Sequence, residues 1–232
     1  MSTANLEAVE TARNYYDSED ADNFYSTVWG GEDIHIGIYE SDTDSIFDAS
    51  RRTQEYMINH LNTVDSNSRI IDLGSGYGGS ARYLAERFGC RVVALNLSEV
   101  ENERARSLNE KEGVDDLIDV VEGNFEDLPF EDESFDIVWS QDSFLHSPLR
   151  EQVVSEAARI LNPSGEFIFT DPMKANDCPD GVLQPILDRI HLENMASPDF
   201  YRQAAVENGL KELTFEEHTK HLKNHYMAVL RQ

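Results

Sequence analysis

The chain has 232 residues, a length that suits one α/β domain with a sizeable core and disfavours two independent domains. It carries 45 Asp and Glu against 19 Lys and Arg, a formal net charge of −26 at pH 7, and only five of the basic residues are lysines. This charge excludes partners that need a basic binding surface, namely nucleic acids and anionic membranes.

The acidic residues are dispersed along the chain, and its 40% hydrophobic residues are enough for a packed interior. Dispersed acid with few lysines is typical of proteins from a salt-rich, halophilic cytoplasm, where salt screens self-repulsion; an ordinary acidic cytosolic protein is the alternative. Cys90 and Cys178 are isolated, so we expect neither a disulfide framework nor a metal site. Because the chain has no apolar run of 18 residues and no signal-like start, we expect a cytoplasmic protein.

Residues 1–66 are polar and punctuated by aromatic residues, and they predict a helical N-terminal extension that forms a lid. Apolar residues recur at helical spacing from Leu6 to Tyr16 and again from Ser45 to Leu61. Residues 67–232 then form the predicted core, with helices on the substrate side near its C-terminus.

From Arg69 onward, short apolar runs alternate with amphipathic segments. Five strands are predicted, in the segments RIIDL, RVVALNL, LIDVVEG, SFDIVWSQD and, after a turn at Asn162 to Gly165, GEFIFTDP. Helices are predicted in the segments SARYLAERFG, SEVENERARSLNEKEG and PLREQVVSEAARILNP. This alternation predicts an α/β fold with a doubly wound, mostly parallel, Rossmann-like sheet. Beyond Pro172 we expect helices around 181–195, 197–209 and 222–232, and a strand at 210–218.

A glycine-rich turn, DLGSGYGG from Asp72 to Gly79, follows the first predicted strand, where a doubly wound sheet binds its ligand. Glycines let backbone amides approach a ligand closely. The third glycine comes one residue earlier than in the dinucleotide fingerprint, and Asp72 precedes the first glycine by two positions. Its carboxylate would repel a pyrophosphate but suits a cationic amino-acid group.

This turn resembles motif I of the class I S-adenosylmethionine-dependent methyltransferases, and four further matches follow in order over residues 69–171: Asn96, Gly123-Asn124-Phe125, LPFEDESFDIVWS and EAARILNPSGEFIFTD. The resemblance implies S-adenosylmethionine as cofactor and S-adenosylhomocysteine as product. It also implies cofactor contacts from Asp72, Gly74, Ser75, Gly76, Asn96, Leu97, Asn124, Phe125 and Gln141. Asn96 stands where the family usually carries an acid for the ribose hydroxyls. Alternatively, Asn96 caps the next helix and Phe125 belongs to the core.

Four further segments resemble the N-methyltransferases of betaine synthesis, and the sarcosine/dimethylglycine N-methyltransferases most of all: FYSTVWGGEDIHIGIY, WSQDSFLHS, FTDPM and QPILDRIHLENMASPDFYR. The resemblance implies N-methylation of sarcosine or N,N-dimethylglycine to glycine betaine, an osmoprotectant. The alternatives are another small acceptor, such as glycine, phosphoethanolamine or a natural-product hydroxyl, and a non-catalytic cofactor-binding module. A phosphorylated acceptor fits poorly, because basic residues are few.

The resemblance also implies catalytic residues. Tyr16 and His146 match a tyrosine–histidine latch of the phosphoethanolamine relatives, and Asp142 matches an acid that faces the substrate amine. Because aromatic faces attract a methylated ammonium, we expect Tyr25 and Trp29 to bind the substrate. Met173 is predicted beside them, where glycine/sarcosine enzymes carry a polar residue. Alternatively, these aromatic residues pack on the domain and His146 is a core residue.

Three points stay open in the sequence. The substrate carboxylate could be bound by Gln184, by Arg189 or by backbone amides, and the sequence does not favour one of these over the others. The oligomeric state is expected to be monomer or homodimer. Related seven-stranded sheets close with a hairpin, yet only a helical pattern follows residues 210–218 here. We therefore expect the last strand to be missing or the chain to be a shortened form.

Overall fold

The structure is a computed structural model that describes residues 31–190 and 192–232, together with Glu10, Arg13, Asp17, Val28 and Trp29. Its described sheet has five strands, which are β1 Arg69–Leu73, β2 Arg91–Asn96, β3 Ile118–Glu122, β4 Phe135–Gln141 and β5 Leu161–Thr170. Their order is β3-β2-β1-β4-β5, and every neighbouring pair is parallel. The predicted doubly wound sheet is confirmed.

Seven helices are described, which are α1 Ile46–Ile58, α2 Gly79–Phe88, α3 Glu99–Glu112, α4 Arg150–Ile160, α5 Gln184–Arg189, α6 Pro198–Glu207 and α7 Thr219–Val229. Local sequence sets their ends. Gly89 closes α2 in the left-handed conformation, and the Ser98 hydroxyl accepts a hydrogen bond from the Glu101 amide at the start of α3. The cap of α3 is therefore Ser98, which leaves the Asn96 side chain available for another role.

The sheet is covered on both faces by apolar layers. Successive strand residues point to opposite faces, so Ile71 and Val138 join one layer while Ile70 and Ile137 join the other. All four side chains are buried. Because both faces are packed, β1 and β4 are apolar through most of their length, and the carboxyl ends of the strands are held along one edge.

Three predicted elements differ in the structure. The strand predicted at 210–218 is wrong: the segment lies on the surface with Leu213 67% exposed, and it is held by side-chain contacts such as Arg202 over Phe215 instead of a ladder of backbone hydrogen bonds. The predicted turn at 162–165 is an irregularity inside β5, where Ile137 pairs with Glu166 after Phe135 has paired with Leu161. The helix expected around 181–195 is the shorter α5.

The predicted helix from Ser45 to Leu61 is α1, which begins at the cap residue Ser45. The first predicted helix lies mostly outside the described residues, as do Tyr16 and Tyr25. Within the described part of the chain, no helix has the length and apolarity to cross a membrane.

Candidate functional site

A cleft of about 780 Å³ lies along the carboxyl edge of the sheet, and a smaller pocket adjoins it at the glycine turn. The two share Ile34, Gly74 and Gln141. All nine residues predicted to bind the cofactor line one or both of them: Asp72, Gly74, Ser75, Gly76, Asn96, Leu97, Asn124, Phe125 and Gln141. Residues spread over 70 positions of the chain are thus brought to one edge, because β1 to β4 end there.

The glycine turn needs glycine at Gly74 and Gly76. Both have a positive φ, +77° and +53°. A Cβ at Gly74 would lie 2.5 Å from the Cβ of Ser143, and one at Gly76 would lie 2.7 Å from the Cδ1 of Ile34. The backbone amides of Gly74 and Ser75 donate to the carbonyl of Leu95 over 2.8 and 3.1 Å, which fixes the turn against the end of β2.

Four buried polar atoms around the smaller pocket have no hydrogen-bond partner among the described residues: Asp33 Oδ2, Asp72 Oδ2, Ser75 Oγ and Gln141 Nε2. The orientation of Gln141 is fixed, because its Oε1 accepts from Ser80 Oγ at 2.5 Å and from Trp139 Nε1 at 3.1 Å. The amide therefore presents its NH₂ group as a donor. Two carboxylates beside hydroxyl and amide donors complement the ammonium and carboxylate of an amino acid. These residues fit the methionine end of the implied cofactor.

Burial, and then the charge of Asp33, raises the pKa of Asp72 to about 7. Arg51 lies 3.3 Å from Asp33 Oδ2, so that carboxylate has a cation on its outer side. Asp72 has no such neighbour among the described ion pairs. A ligand ammonium in this pocket would supply the missing positive charge.

A segment that we call the strap, residues 31–39, closes one side of the pocket. Its Asp33, Ile34 and His35 line the pocket, and Asp33 is 1% exposed. Asp33 Oδ1 and the Glu32 carbonyl approach so closely that a Cβ at Gly79 would overlap both. The sequence analysis missed these three strap residues, because no strand or helix pattern marks them as part of the site.

A further residue that the sequence analysis missed, Glu101, lies beside the end of β2. The Nδ2 of Asn96 donates to Glu101 Oε2 over 2.8 Å, and both side chains line the cleft. Glu101 lies in the first turn of α3 and is 3% exposed. Glu101 therefore places a carboxylate beside position 96, where the sequence lacks an acid. Its position in the first turn of the helix after β2 is the signal that could have found it.

Asn124 and Phe125 follow β3. The Oδ1 of Asn124 accepts the amide hydrogen bond of Glu126 at 2.9 Å, which tightens the loop. The ring of Phe125 lines the cleft and also meets the Phe144 ring edge-on, with 5.7 Å between centroids. Phe125 therefore belongs to the core and to the cleft at once.

Two residues of the N-terminal extension also reach this end of the cleft. Arg13 lines the cleft, and its Nη1 lies 2.7 Å from Glu122 Oε1 at the end of β3. The Ser98 hydroxyl donates to Asp17 Oδ1 over 2.6 Å. Arg13 and Asp17 thus contact the end of β3 and the loop after β2, and the formation of a lid by the extension stays a prediction.

Asp142 and His146, the two catalytic candidates that the structure describes, both line the cleft after β4. Asp142 has a positive φ of 51°; its Oδ2 accepts the Ile36 amide at 2.6 Å, and its Oδ1 accepts the Thr170 hydroxyl at 2.9 Å. Burial raises the pKa of Asp142, against the opposing effect of His35. Asp142 therefore fastens the strap to the sheet, a role that the sequence did not predict.

His146 ends a single 3-10 turn, Phe144–His146. Burial, and then the nearby Arg150, lowers the pKa of His146 to about 4, so the imidazole is neutral at pH 7. Asp171 at the end of β5 supports this turn, because its Oδ1 accepts the Leu145 amide at 3.0 Å and its Oδ2 accepts the Tyr201 hydroxyl at 2.7 Å. Asp171 is a further residue that the sequence analysis missed.

Of the three predicted substrate residues, the structure describes Trp29 and Met173. The Trp29 ring packs against His225 and Tyr226 of α7, with centroid distances of 4.7 and 5.5 Å. Met173 packs against the apolar layer. The described walls of the cleft include neither residue, and their contact with a substrate stays a prediction. Gln184 donates to Asp188 on α5, outside these walls as well.

Comparisons with known proteins agree with this architecture. The chain matches the family model described as "Methyltransferase domain" over residues 71–169. It is 61% identical to a sarcosine/dimethylglycine N-methyltransferase of Halorhodospira halochloris, over 97% of this chain and 81% of that protein. It is 50% identical to a protein of the same name from Aphanothece halophytica, over 95% and 80%. A solved structure from Galdieria sulphuraria, provisionally named a sarcosine dimethylglycine methyltransferase, gives a TM-score of 0.87 at 44% identity, covering 91% of this chain and 82% of its own.

Proposed function

Because the chain belongs to the class I S-adenosylmethionine-dependent methyltransferases, in the family of the sarcosine/dimethylglycine N-methyltransferases, we propose that it methylates the nitrogen of sarcosine and N,N-dimethylglycine. The end product of this reaction is glycine betaine. The observation that carries the proposal is the cleft that ends at Asp142 and His146, together with the zwitterion-binding set around Asp72.

The described residues divide the cofactor among four parts of the site. Asp72 and Asp33 bind its ammonium group, and Gln141 binds its carboxylate. Asn96 and Glu101 hold the ribose hydroxyls, and the loop of Asn124 and Phe125 holds the adenine. When bound, the cofactor supplies a methyl group on a sulfonium sulfur. The chain's task is to align the acceptor nitrogen with that carbon and to exclude water.

His146 and Asp142 are assigned to the acceptor amine. A neutral imidazole is a hydrogen-bond acceptor, so His146 can accept a hydrogen bond from the acceptor amine; its lowered pKa makes it a weak base, and the proton of an ammonium is lost to water before the nitrogen attacks. Dimethylglycine has no proton left to release after it is methylated, whereas sarcosine has one. The Asp142 carboxylate, buried beside the strap, stabilises the positive charge that forms on the methylated nitrogen.

The charges of the cleft favour a small carboxylated amine over a phosphorylated one. Among the described residues that line the cleft, Arg13 is the one arginine or lysine, and Glu122 already pairs with it. A phosphate group is normally held by several arginines or lysines. Phosphoethanolamine is therefore disfavoured as the acceptor.

The net charge of −26 fits the same proposal. A dispersed acidic surface suits a protein that works in concentrated salt, where screening removes the repulsion among its carboxylates. Glycine betaine is an osmoprotectant, and a cell exposed to concentrated salt can use it to balance the external osmotic pressure. We place the enzyme in the cytoplasm of such a cell, acting on small molecules.

Radiolabelled S-adenosylmethionine, offered with one acceptor at a time, tests the proposal. Dimethylglycine, sarcosine, glycine and phosphoethanolamine are compared at low and at molar salt. Glycine betaine is the blank acceptor, because its nitrogen has no lone pair to methylate. We expect transfer to dimethylglycine and sarcosine, more strongly in salt. Absence of transfer to both at every salt concentration would overturn the proposal; if S-adenosylhomocysteine still bound in calorimetry, the chain would be a cofactor-binding module.

A further inference from the structure

Helix α7 carries two buried histidines behind the strap. His225 is fully buried and His221 is 4% exposed. Neither histidine lines the described cleft or the smaller pocket at the glycine turn. Two buried imidazoles on one helix need polar partners, because an unpaired buried polar group is unfavourable.

The strap supplies a partner for the Nδ1 of each ring, whereas the buried Nε2 of His225 has no hydrogen-bond partner among the described residues. The Gly37 amide donates to His225 Nδ1 over 3.2 Å, and the Tyr39 amide donates to His221 Nδ1 over 3.0 Å. The Tyr39 hydroxyl also lies 3.0 Å from His225 Nδ1. Since a backbone N–H can only donate, each Nδ1 carries a lone pair and each ring is neutral, with its proton on Nε2.

The other side of the strap is held in the same manner. Ser50 Oγ donates to the His35 carbonyl over 3.2 Å, and Thr53 Oγ1 donates to the Ile36 carbonyl over 2.9 Å; both side chains belong to α1. Asp142 accepts the Ile36 amide. The strap backbone therefore forms its hydrogen bonds chiefly with side chains from α1, α7 and the end of β4. An ordinary strand would instead form them with the backbone of a neighbouring strand. The position of the strap depends on the chemical identity of those side chains.

We propose that His225 and His221 are positioning residues for the cofactor: they hold the strap amides of Gly37 and Tyr39, and so keep Asp33 and Ile34 in the pocket. Gly37 lies only three positions after Ile34, so a shift at the anchored end moves the end that lines the pocket. This inference rests on the proposed function in one respect, the binding of S-adenosylmethionine and its product in this cleft.

Simple packing is the competing explanation. Tyr39, Ile46, Ala49 and Ala228 form a small apolar cluster between the strap, α1 and α7. If apolar contact alone held the strap, a side chain of similar size without an Nδ1 acceptor would serve as well as histidine. The two explanations therefore differ in their response to a leucine.

The test compares His225→Leu, which removes the acceptor, with His225→Asn, whose Oδ1 replaces the Nδ1 lone pair. His218→Leu is the matched control, because His218 precedes the same helix, is half-buried, and its ring meets those of Tyr56 and His221 without contacting the strap. The Kd of S-adenosylhomocysteine is measured by calorimetry on each full-length protein, and kcat and the KM for S-adenosylmethionine are measured with dimethylglycine.

We expect His225→Leu to raise the Kd about tenfold, since a buried amide loses its acceptor. The KM for the cofactor should rise with it while kcat changes less. His225→Asn should restore the Kd to within about twofold of the wild type, and His218→Leu should leave it unchanged. Hydrogen exchange should be faster at residues 36–39 in His225→Leu and unchanged in β1 and β4.

Two results would overturn the inference: a Kd in His225→Leu equal to that of the wild type, or an equal loss in the Leu and Asn variants. If His225→Leu fails to fold, the same comparison is made with His221→Leu and His221→Asn, which affect only the Tyr39 amide. Failure of the proposed function would look different. Wild-type protein would then bind S-adenosylhomocysteine but methylate none of the amines, which would contradict the assigned acceptor. The effect of the histidine variants on the Kd could still be measured.

Discussion

Protonation of Asp72 should couple cofactor binding to pH. The pKa of this buried carboxyl is raised from 3.8 to about 7, which means that its ionised form is disfavoured by about 4 kcal/mol in the empty protein. The ammonium of the cofactor at about 4 Å offers attraction of about the same size at an effective dielectric constant near 20. We therefore expect the pKa of Asp72 to return to about 4 in the complex, with release of a proton.

The magnitude follows from the two pKa values. The apparent Kd of S-adenosylhomocysteine should be about fiftyfold higher at pH 5 than at pH 7, and about 0.9 proton should be released on binding at pH 6. Because the folded state holds this proton more tightly than the unfolded state, the contribution to stability is present at low pH and is lost as the pH rises from about 4 to 7. The Asp72→Asn variant, which cannot ionise, should therefore be more stable than the wild type at pH 8 without cofactor.

Calorimetry in buffers of different ionisation enthalpy counts the released protons directly. Asp72→Asn should bind more weakly at pH 7 and show little dependence on pH. Asp33→Asn is the matched variant, because it removes the charge that helps to raise the pKa of Asp72. The pH below which the affinity for S-adenosylhomocysteine falls should therefore be lower in this variant. An equal pH dependence in wild type and Asp72→Asn would refute this reasoning, as would binding at pH 6 without proton release.

Three further predictions concern the strap, the ribose and the core. Gly79→Ala should raise the Kd of S-adenosylhomocysteine at least about tenfold, because the new Cβ overlaps Asp33; an unchanged Kd would contradict the close approach. Glu101→Gln should weaken S-adenosylhomocysteine more than its 2′-deoxyribose analogue, and an equal loss for both ligands would remove Glu101 from the ribose site. Phe144→Ala should lower the free energy of unfolding in urea by about 3–5 kcal/mol, since Phe144 is fully buried; a loss below about 1 kcal/mol would contradict that packing.

Residues at strand ends were predictable from the sequence. The β-branched run before Asp72 and the glycines after it mark the end of β1, and the same reasoning placed Asn96, Asn124 and Gln141 at the ends of β2, β3 and β4. In a parallel sheet these ends share one edge, so a one-dimensional pattern is enough to bring such residues together. Their place along the cleft follows from sheet geometry alone.

Residues placed by loop and helix docking were not predictable in this way. Asp33 lies in the strap, which has neither a helical nor a strand pattern in its sequence. The strap is held by side chains from α1, from α7 and from Asp142 after β4, and none of these contacts is local in sequence. Met173 was predicted to face the substrate; its side chain packs against one apolar layer, and its contact with a substrate stays a prediction. The segment 210–218 has the composition of a strand, but a strand forms only where another strand lies beside it. That pairing depends on residues far away in the sequence, so local composition does not reveal it.

The strap also constrains the order in which the enzyme is completed during synthesis. Residues 31–39 leave the ribosome before the first strand, whereas α7, which anchors them through two histidines, follows all five strands. The sheet and the glycine turn can therefore form while the strap still lacks its anchors. Tight cofactor binding then becomes possible only after α7 has docked, so the cofactor stabilises finished molecules in preference to nascent ones.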